Sequence, residues 1–135
     1  MAPLPQPDID SSLVLRTDFG DDSAWEGLAA AVEGDGGATC VSDRAYAGVS
    51  VQALVEADAA ADDEEALTYV FLADSTAMAD DEQRLLAVDL YEEPGRTFRV
   101  PPRWFASVSA NLALANMDFA EYADAADESG TFRGF

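Results

Sequence analysis

Leu67-Thr68-Tyr69-Val70-Phe71-Leu72-Ala73 decides the fold. Apolar side chains fall on both faces of this run, whereas a half-exposed strand alternates apolar with polar residues. A strand of that kind belongs at the centre of a sheet covered on both sides. Downstream, residues 85–91 and 96–100 read as two more strands. Glu92-Glu93-Pro94-Gly95 lies between them, with Pro-Gly at the favoured central positions of a turn. Residues 85–100 are therefore expected to form an antiparallel hairpin. Upstream, residues 13–19 read as a first strand and residues 38–42 as a short second one, with Val41 inward.

Helices fill the intervals. Trp25, Leu28, Ala29 and Val32 recur at helical spacing, which predicts a helix over about 23–33 with Asp21 or Asp22 as N-cap. The stretch Gly34-Asp35-Gly36-Gly37 stops it. Ser50 suits the N-cap of a second helix with Val51, Leu54 and Val55 on its apolar face. Residues 56–65, almost all Ala, Asp and Glu, read as a solvated helix end or a mobile loop. Residues 74–83 read as an acidic connection. Pro102 fits the first turn of a helix carrying the stripe Trp104, Phe105, Val108 and Leu112. Residues 112–116 are expected to leave that helix as a short extended segment. Asp118 and Glu121 form an acidic capping box ahead of Phe119, Tyr122, Ala123 and Ala126. Phe132 and Phe135 suggest that the tail docks on the body.

This order predicts one α/β or α+β domain over residues 11–135, with a mixed sheet of about five strands and helices on its faces. A flexible Pro-rich arm over 1–10 precedes it, because Pro3, Pro5 and Pro7 oppose regular pairing.

The charged residues are lopsided. There are 27 acidic residues against 7 basic ones, for a formal charge of −20, and every basic residue is Arg. Without His there is no Ser-His-Asp or Cys-His arrangement. Without Lys there is neither a Schiff base nor a P-loop lysine. One cysteine and no histidine preclude a zinc site of the usual ligands. The field repels phosphate backbones and anionic membrane surfaces, so no direct nucleic-acid or membrane binding is expected. It favours a basic protein partner. No apolar run is long enough to span a bilayer, and the N-terminus lacks signal-peptide character. With no disulfide framework, a cytoplasmic location is the simplest expectation.

No catalytic, cofactor or metal residues are assigned. The groups Asp18/Asp21/Asp22, Asp80/Asp81/Glu82 and Glu92/Glu93 lack metal-site spacing and read as solvated surface. Cys40 reads as a small buried hydrophobe. Arg96, Arg99 and Arg103, beside Trp104, form a candidate site for a carboxylate or phosphate. Pairing with neighbouring acids would remove that role. Asp118, Glu121, Asp124, Asp127 and Glu128 lie on the polar side of the last helix, as a candidate surface for a basic partner or as a solvated face.

Several segments resemble an uncharacterised family of small acidic actinobacterial proteins. They are residues 13–19 and 21–25, Asp43-Arg44-Ala45-Tyr46-Ala47-Gly48, Val88-Asp89-Leu90, residues 94–100, 111–119 and 130–135. The resemblance implies a single-domain bacterial protein and brings no activity. The sequence thus points to a non-enzymatic acidic binding protein, immunity- or inhibitor-like, with nucleic-acid mimicry as a special case. The alternative is a small ligand-binding domain or carboxylate-dependent enzyme built on the Arg96/Arg99/Arg103 patch.

Overall fold

The computed structural model describes residues 4–34 and 37–135. Asp35 and Gly36 of the expected helix stop, and the first three residues of the arm, lie outside the described residues. Five strands form one mixed sheet: β1 (Ser12–Arg16), β2 (Ala38–Val41), β3 (Tyr69–Ala73), β4 (Leu85–Asp89) and β5 (Thr97–Val100), in the order β2-β1-β3-β4-β5. β1 runs parallel to both β2 and β3, and β3-β4-β5 are antiparallel. The helices are α1 (Asp22–Glu33), α2 (Val51–Ala59), α3 (Ser75–Ala79), α4 (Pro102–Ala113) and α5 (Phe119–Asp124). The chain is thus a single α+β domain with its central strand where residues 67–73 placed it.

Crossover handedness explains the layering. The connection from β1 to β2 moves sideways in one direction, and that from β2 to β3 moves back past β1. Right-handed crossovers in opposite directions must lie on opposite faces of the sheet. α1 accordingly joins the core on one face with Val14, Phe71, Ala87, Phe105 and Tyr122. α2 joins the other face through Leu54, against Leu13, Leu15, Val70 and Val88. Alternate residues of the same strands feed the two cores, as pleating requires.

The caps follow local chemistry. The Asp21 carboxylate accepts the Ala24 N–H at 3.1 Å, Ser50 Oγ the Ala53 N–H at 3.1 Å, and Asp74 the Ala77 N–H at 3.0 Å. Asp74 thereby starts α3 inside the stretch expected to be a bare connection. Asp89 is buried at the end of β4, and its carboxylate accepts the N–H groups of Tyr91, Glu92 and Glu93. This closes the hairpin loop, in which Gly95 takes φ +94°.

Three further expectations change. Leu4 is buried beside Leu13 and Leu15, and the Gln6 side-chain amide donates to the Glu65 carbonyl at 2.7 Å. The described part of the arm is therefore anchored to the body at Leu4 and Gln6, because one aliphatic side chain there finds a place in the second core. Residues 56–65 hold a structural acid: Asp58 is buried and accepts the Leu67 N–H at 2.7 Å. Residues 112–116 are not extended. α4 runs to Ala113, and the chain folds back with Ala115 at φ +56° and the Asn116 N–H on the Asn111 carbonyl at 2.9 Å.

The tail docks along β5. Arg99 N–H donates to Gly130 O at 2.7 Å, and Phe132 N–H to Arg99 O at 2.8 Å. This short parallel bridge covers an edge strand that would otherwise offer free backbone groups. Phe132 is buried edge-on to Tyr122, with ring centres 4.9 Å apart. Phe135 packs 5.1 Å from Phe132 yet stays largely exposed.

Candidate functional site

The guanidinium groups of Arg96, Arg99 and Arg103 do not converge. Arg99 grips both oxygens of Asp74 at 2.8 Å and also donates to the Arg84 carbonyl at 3.2 Å. Arg96 pairs with Glu93 at 2.8 Å and with Asp124. Only Arg103 is without a carboxylate among the described residues; it lies over the Trp104 ring, 5.1 Å from its centre. Trp104 is half-buried and packs edge-on to Phe132 at 5.9 Å.

The other cations are similarly occupied. Arg16 is buried and bonds Asp22 at 2.8 Å, and Arg84 bonds Asp80 at 2.6 Å. Arg133 bonds Glu82 and Asp127. Arg44 lies over Phe19, 5.2 Å from the ring centre. A guanidinium in a bidentate pair or over an aromatic face has spent much of its capacity for a new anion.

The five acids do not share one helix face, because α5 ends at Asp124, and Asp127 and Glu128 lie in the turn beyond it; several of them are also engaged. Glu121 accepts the Asp118 N–H at 2.8 Å in the capping box. Asp124 serves Arg96. Asp127 accepts the Ser129 hydroxyl at 2.6 Å, the Thr131 N–H at 3.1 Å and Arg133 at 3.0 Å. The Ser129 hydroxyl, the Thr131 amide and Arg133 hold the Asp127 carboxyl far below the usual carboxylate range. It is a fixed anion that organises the tail. Glu128 is exposed with no cationic partner among the described residues.

What the structure brings together instead lies at the end of the sheet where β1 and β3 begin. Two adjoining grooves open there, of about 200 and 270 Å³, sharing Thr68, Tyr69 and Leu112. Tyr91, Glu92 and Asp118 border the first, and Asp8 and Asp10 the second. Three large apolar side chains stand out at this end: Ile9 is 93% exposed, Tyr91 71% and Leu114 55%. Leu114 sits between Ala113 and Ala115, each of which lines one groove. Asp8, Asp10, Glu92 and Asp118 form no ion pair among the described residues.

The floor beneath is rigid. Ser12 Oγ lies 2.6 Å from both Tyr69 Oη and Ser109 Oγ, and Ser109 donates to the Gly37 carbonyl at 2.9 Å. Burial pushes the Tyr69 phenol above its ordinary range, so it stays neutral within this network.

Of the residues singled out beforehand, Asp118 belongs to this end, as does Glu92 of the pair read as solvated surface. Ile9, Tyr91 and Leu114 were missed. Ile9 is a lone aliphatic between two acids. Tyr91 continues a strand pattern past the point where Asp89 ends the strand. Leu114 is off the period of Phe105, Val108 and Leu112, which was the available signal that it points away from the core.

Cys40 is half-buried, with its thiol pushed up to about 12 by burial and by the adjacent Glu33 carboxylate. That is the opposite of a nucleophile's environment. No group of three or more His, Cys, Asp or Glu side chains among the described residues forms a metal-binding arrangement. No described helix is long and apolar enough to cross a membrane.

Fold and surface together define a small single-domain α+β protein with an acid-rimmed apolar end. The chain belongs to the family described as a domain of unknown function (DUF6924), whose model matches residues 11–135. No curated protein shows a significant match to it.

Proposed function

We propose that this chain is a non-enzymatic binding protein that docks a basic protein partner on the end formed by Ile9, Tyr91 and Leu114. One observation carries this reading: exposed Tyr91 lines, and exposed Ile9 and Leu114 lie in sequence between residues that line, grooves whose carboxylates have no internal cation among the described residues. Single exposed hydrophobes are ordinary, but several grouped within one rim are a common mark of an interface. The rim speeds encounter with a positive surface, and the apolar group supplies the buried contact.

An immunity- or inhibitor-like role fits, since such a protein needs only to cover a basic site on its target. Imitation of nucleic-acid phosphates by the rim is the special case. The reading takes the protein as of actinobacterial origin, as the family resemblance implies, and as cytoplasmic, as the N-terminus without signal-peptide character and the single cysteine suggest. The alternative built on Arg96, Arg99 and Arg103 gains no support, because two of the three pair with carboxylates.

The test is affinity capture from host lysate at low and high salt with three baits. They are wild type, Ile9→Ser/Tyr91→Ser/Leu114→Ser, and the remote control Glu26→Gln/Glu33→Gln. The expected result is a basic protein held by wild type and the control, weakened by salt and lost by the triple variant. Equal capture by all three baits, or no partner at either salt, would reject the proposal.

A further inference from the structure

The opposite end of the sheet holds a second feature, independent of the docking surface. β1 is followed by a step to β2 on one side, and the chain then returns to β3 on the other. The carboxyl ends of the parallel neighbours β1 and β3 lie side by side, next to the segment that leads into α2. Ligands of open α/β sheets bind outside the carboxyl ends of such strands. A crevice opens there, with a volume of about 430 Å³. One wall is Thr17-Asp18-Phe19 after β1, and another is Ser75 with Asp74 after β3. Ala47, Gly48 and Val49 close a third side, held by the Gly48 N–H on the Thr17 carbonyl at 2.8 Å.

Thr17 is the telling residue. It is only 6% exposed, and its hydroxyl has no hydrogen-bond partner among the described residues. Every fully enclosed polar side-chain atom among them does have a partner. The Thr17 hydroxyl must therefore reach solvent, and the opening beside it is this crevice. A polar group so deeply set without a protein partner is satisfied by water or by a ligand that enters the crevice.

The neighbouring groups determine what could be bound. Asp18 uses one carboxylate oxygen to accept the Gly20 N–H at 3.0 Å and forms no ion pair. Its other oxygen is open, as is the Ser75 hydroxyl. Asp74, by contrast, is neutralised by Arg99 and fixed as the α3 cap. The crevice thus offers acceptors: one anionic oxygen and two hydroxyls. Ala47 and Val49 provide apolar contact, while the Phe19 ring is already faced by Arg16 at 4.3 Å and Arg44 at 5.2 Å from its centre. A ligand with several N–H donors, a positive charge and a short alkyl stem matches the Thr17–Asp18 wall and the Ala47–Val49 side, and the molecule's −20 charge raises its local concentration.

We infer that the crevice at the carboxyl ends of β1 and β3 binds a small organic cation, an alkylammonium or alkylguanidinium, with Thr17 and Asp18 accepting its N–H groups. The cation could be free or could be the side chain of a basic peptide, and two probes separate these sources: agmatine and the tripeptide Ala-Arg-Ala. Amide chemical shifts would be followed in titrations, with inorganic phosphate as the anionic control. Saturable shifts are expected at Thr17, Phe19, Gly48 and Ser75. Preference for agmatine identifies a free ligand, and preference for the peptide a partner's side chain.

Affinity for the preferred probe should fall at least tenfold in Thr17→Val and Asp18→Asn. It should hold in Glu64→Gln/Glu65→Gln, which removes the same kind of charge elsewhere. Thr17→Ser, which retains the hydroxyl, should restore binding and guards against a packing defect in the Val variant. The inference is overturned by phosphate binding in preference to either cation, by an unchanged Thr17→Val, or by equal losses in Asp18→Asn and the remote acid variant. Because Ile9, Tyr91 and Leu114 are untouched, these outcomes are separable from those of the docking test.

Discussion

Asp74 and Arg99 face each other with both carboxylate oxygens 2.8 Å from guanidinium nitrogens, tying the start of α3 to the edge strand β5. Both side chains are mostly buried, at 22% and 18% exposure. The same carboxylate caps α3 through the Ala77 N–H. A cap is worth about 1 kcal/mol and a charge-assisted bond about 1.5–3 kcal/mol. Asp74→Ala should therefore cost about 3 kcal/mol in urea unfolding. Asp74→Asn keeps an oxygen for the cap and should cost about 2 kcal/mol. Equal costs for the two variants would show that the cap contributes nothing.

The tail should loosen in acid. Asp127 is held below its ordinary range by Ser129, Thr131 and Arg133, and Glu82 is lowered chiefly by its bond to Arg133. A carboxyl with a depressed folded pKa binds fewer protons in the folded state than in the unfolded one. Its stabilisation is present above the unfolded value, about pH 4, and is lost as pH falls toward the folded value. The stability difference between wild type and Asp127→Asn should thus be present at neutral pH and shrink below about pH 4. Trp104 reports the event, since it packs on Phe132 and lies against Gly134. A difference that stays constant from neutral pH into acid would contradict this account.

The fold was legible because its signals are local and strong. Residues 67–73 are apolar on both faces, Pro94-Gly95 marks the hairpin turn, and Asp21, Ser50 and Asp118 mark helix starts. The errors fall where a residue's role depends on distant partners. Leu4 gives no periodicity of its own, and its burial depends on a gap beside Leu13 and Leu15. Asp58 and Asp74 look like any other acid in a chain this acidic, and only the positions of Leu67 and Arg99 make them structural. The Arg cluster shows the same limit. Arg96, Arg99 and Arg103 are near neighbours in sequence, but strand alternation and the start of α4 send them to different partners. The two candidate sites were hidden for the same reason: each joins segments far apart in the chain.

Cys40 should react slowly. With its thiol raised to about 12, the thiolate fraction at pH 8 falls on the order of a thousandfold below that of a free cysteine. Iodoacetamide should label the native protein at least a hundredfold more slowly than the urea-unfolded chain, roughly as the lower thiolate fraction dictates. Glu33→Gln removes the neighbouring charge and should speed native labelling without changing the unfolded rate. Fast native labelling would mean that the thiolate is stabilised rather than suppressed.

Ala115 lies at φ +56° just past α4, a left-handed position that glycine usually fills at helix ends. That conformation costs an L-residue about 1–2 kcal/mol. Glycine there gives back about 0.5–1 kcal/mol through the freedom of the unfolded chain. Ala115→Gly should therefore stabilise the fold by about 0.5–1 kcal/mol and raise the melting temperature by a few degrees. The neighbouring Leu114 should behave in the opposite way. Its side chain is 55% exposed, so Leu114→Ser should change stability by no more than about 0.5 kcal/mol while weakening partner capture. Adjacent residues of one turn would then separate the two roles, with the backbone at Ala115 setting stability and the side chain of Leu114 setting binding. If Leu114→Ser instead lowered the melting temperature as much as a core truncation, the docking assignment of this end would fail.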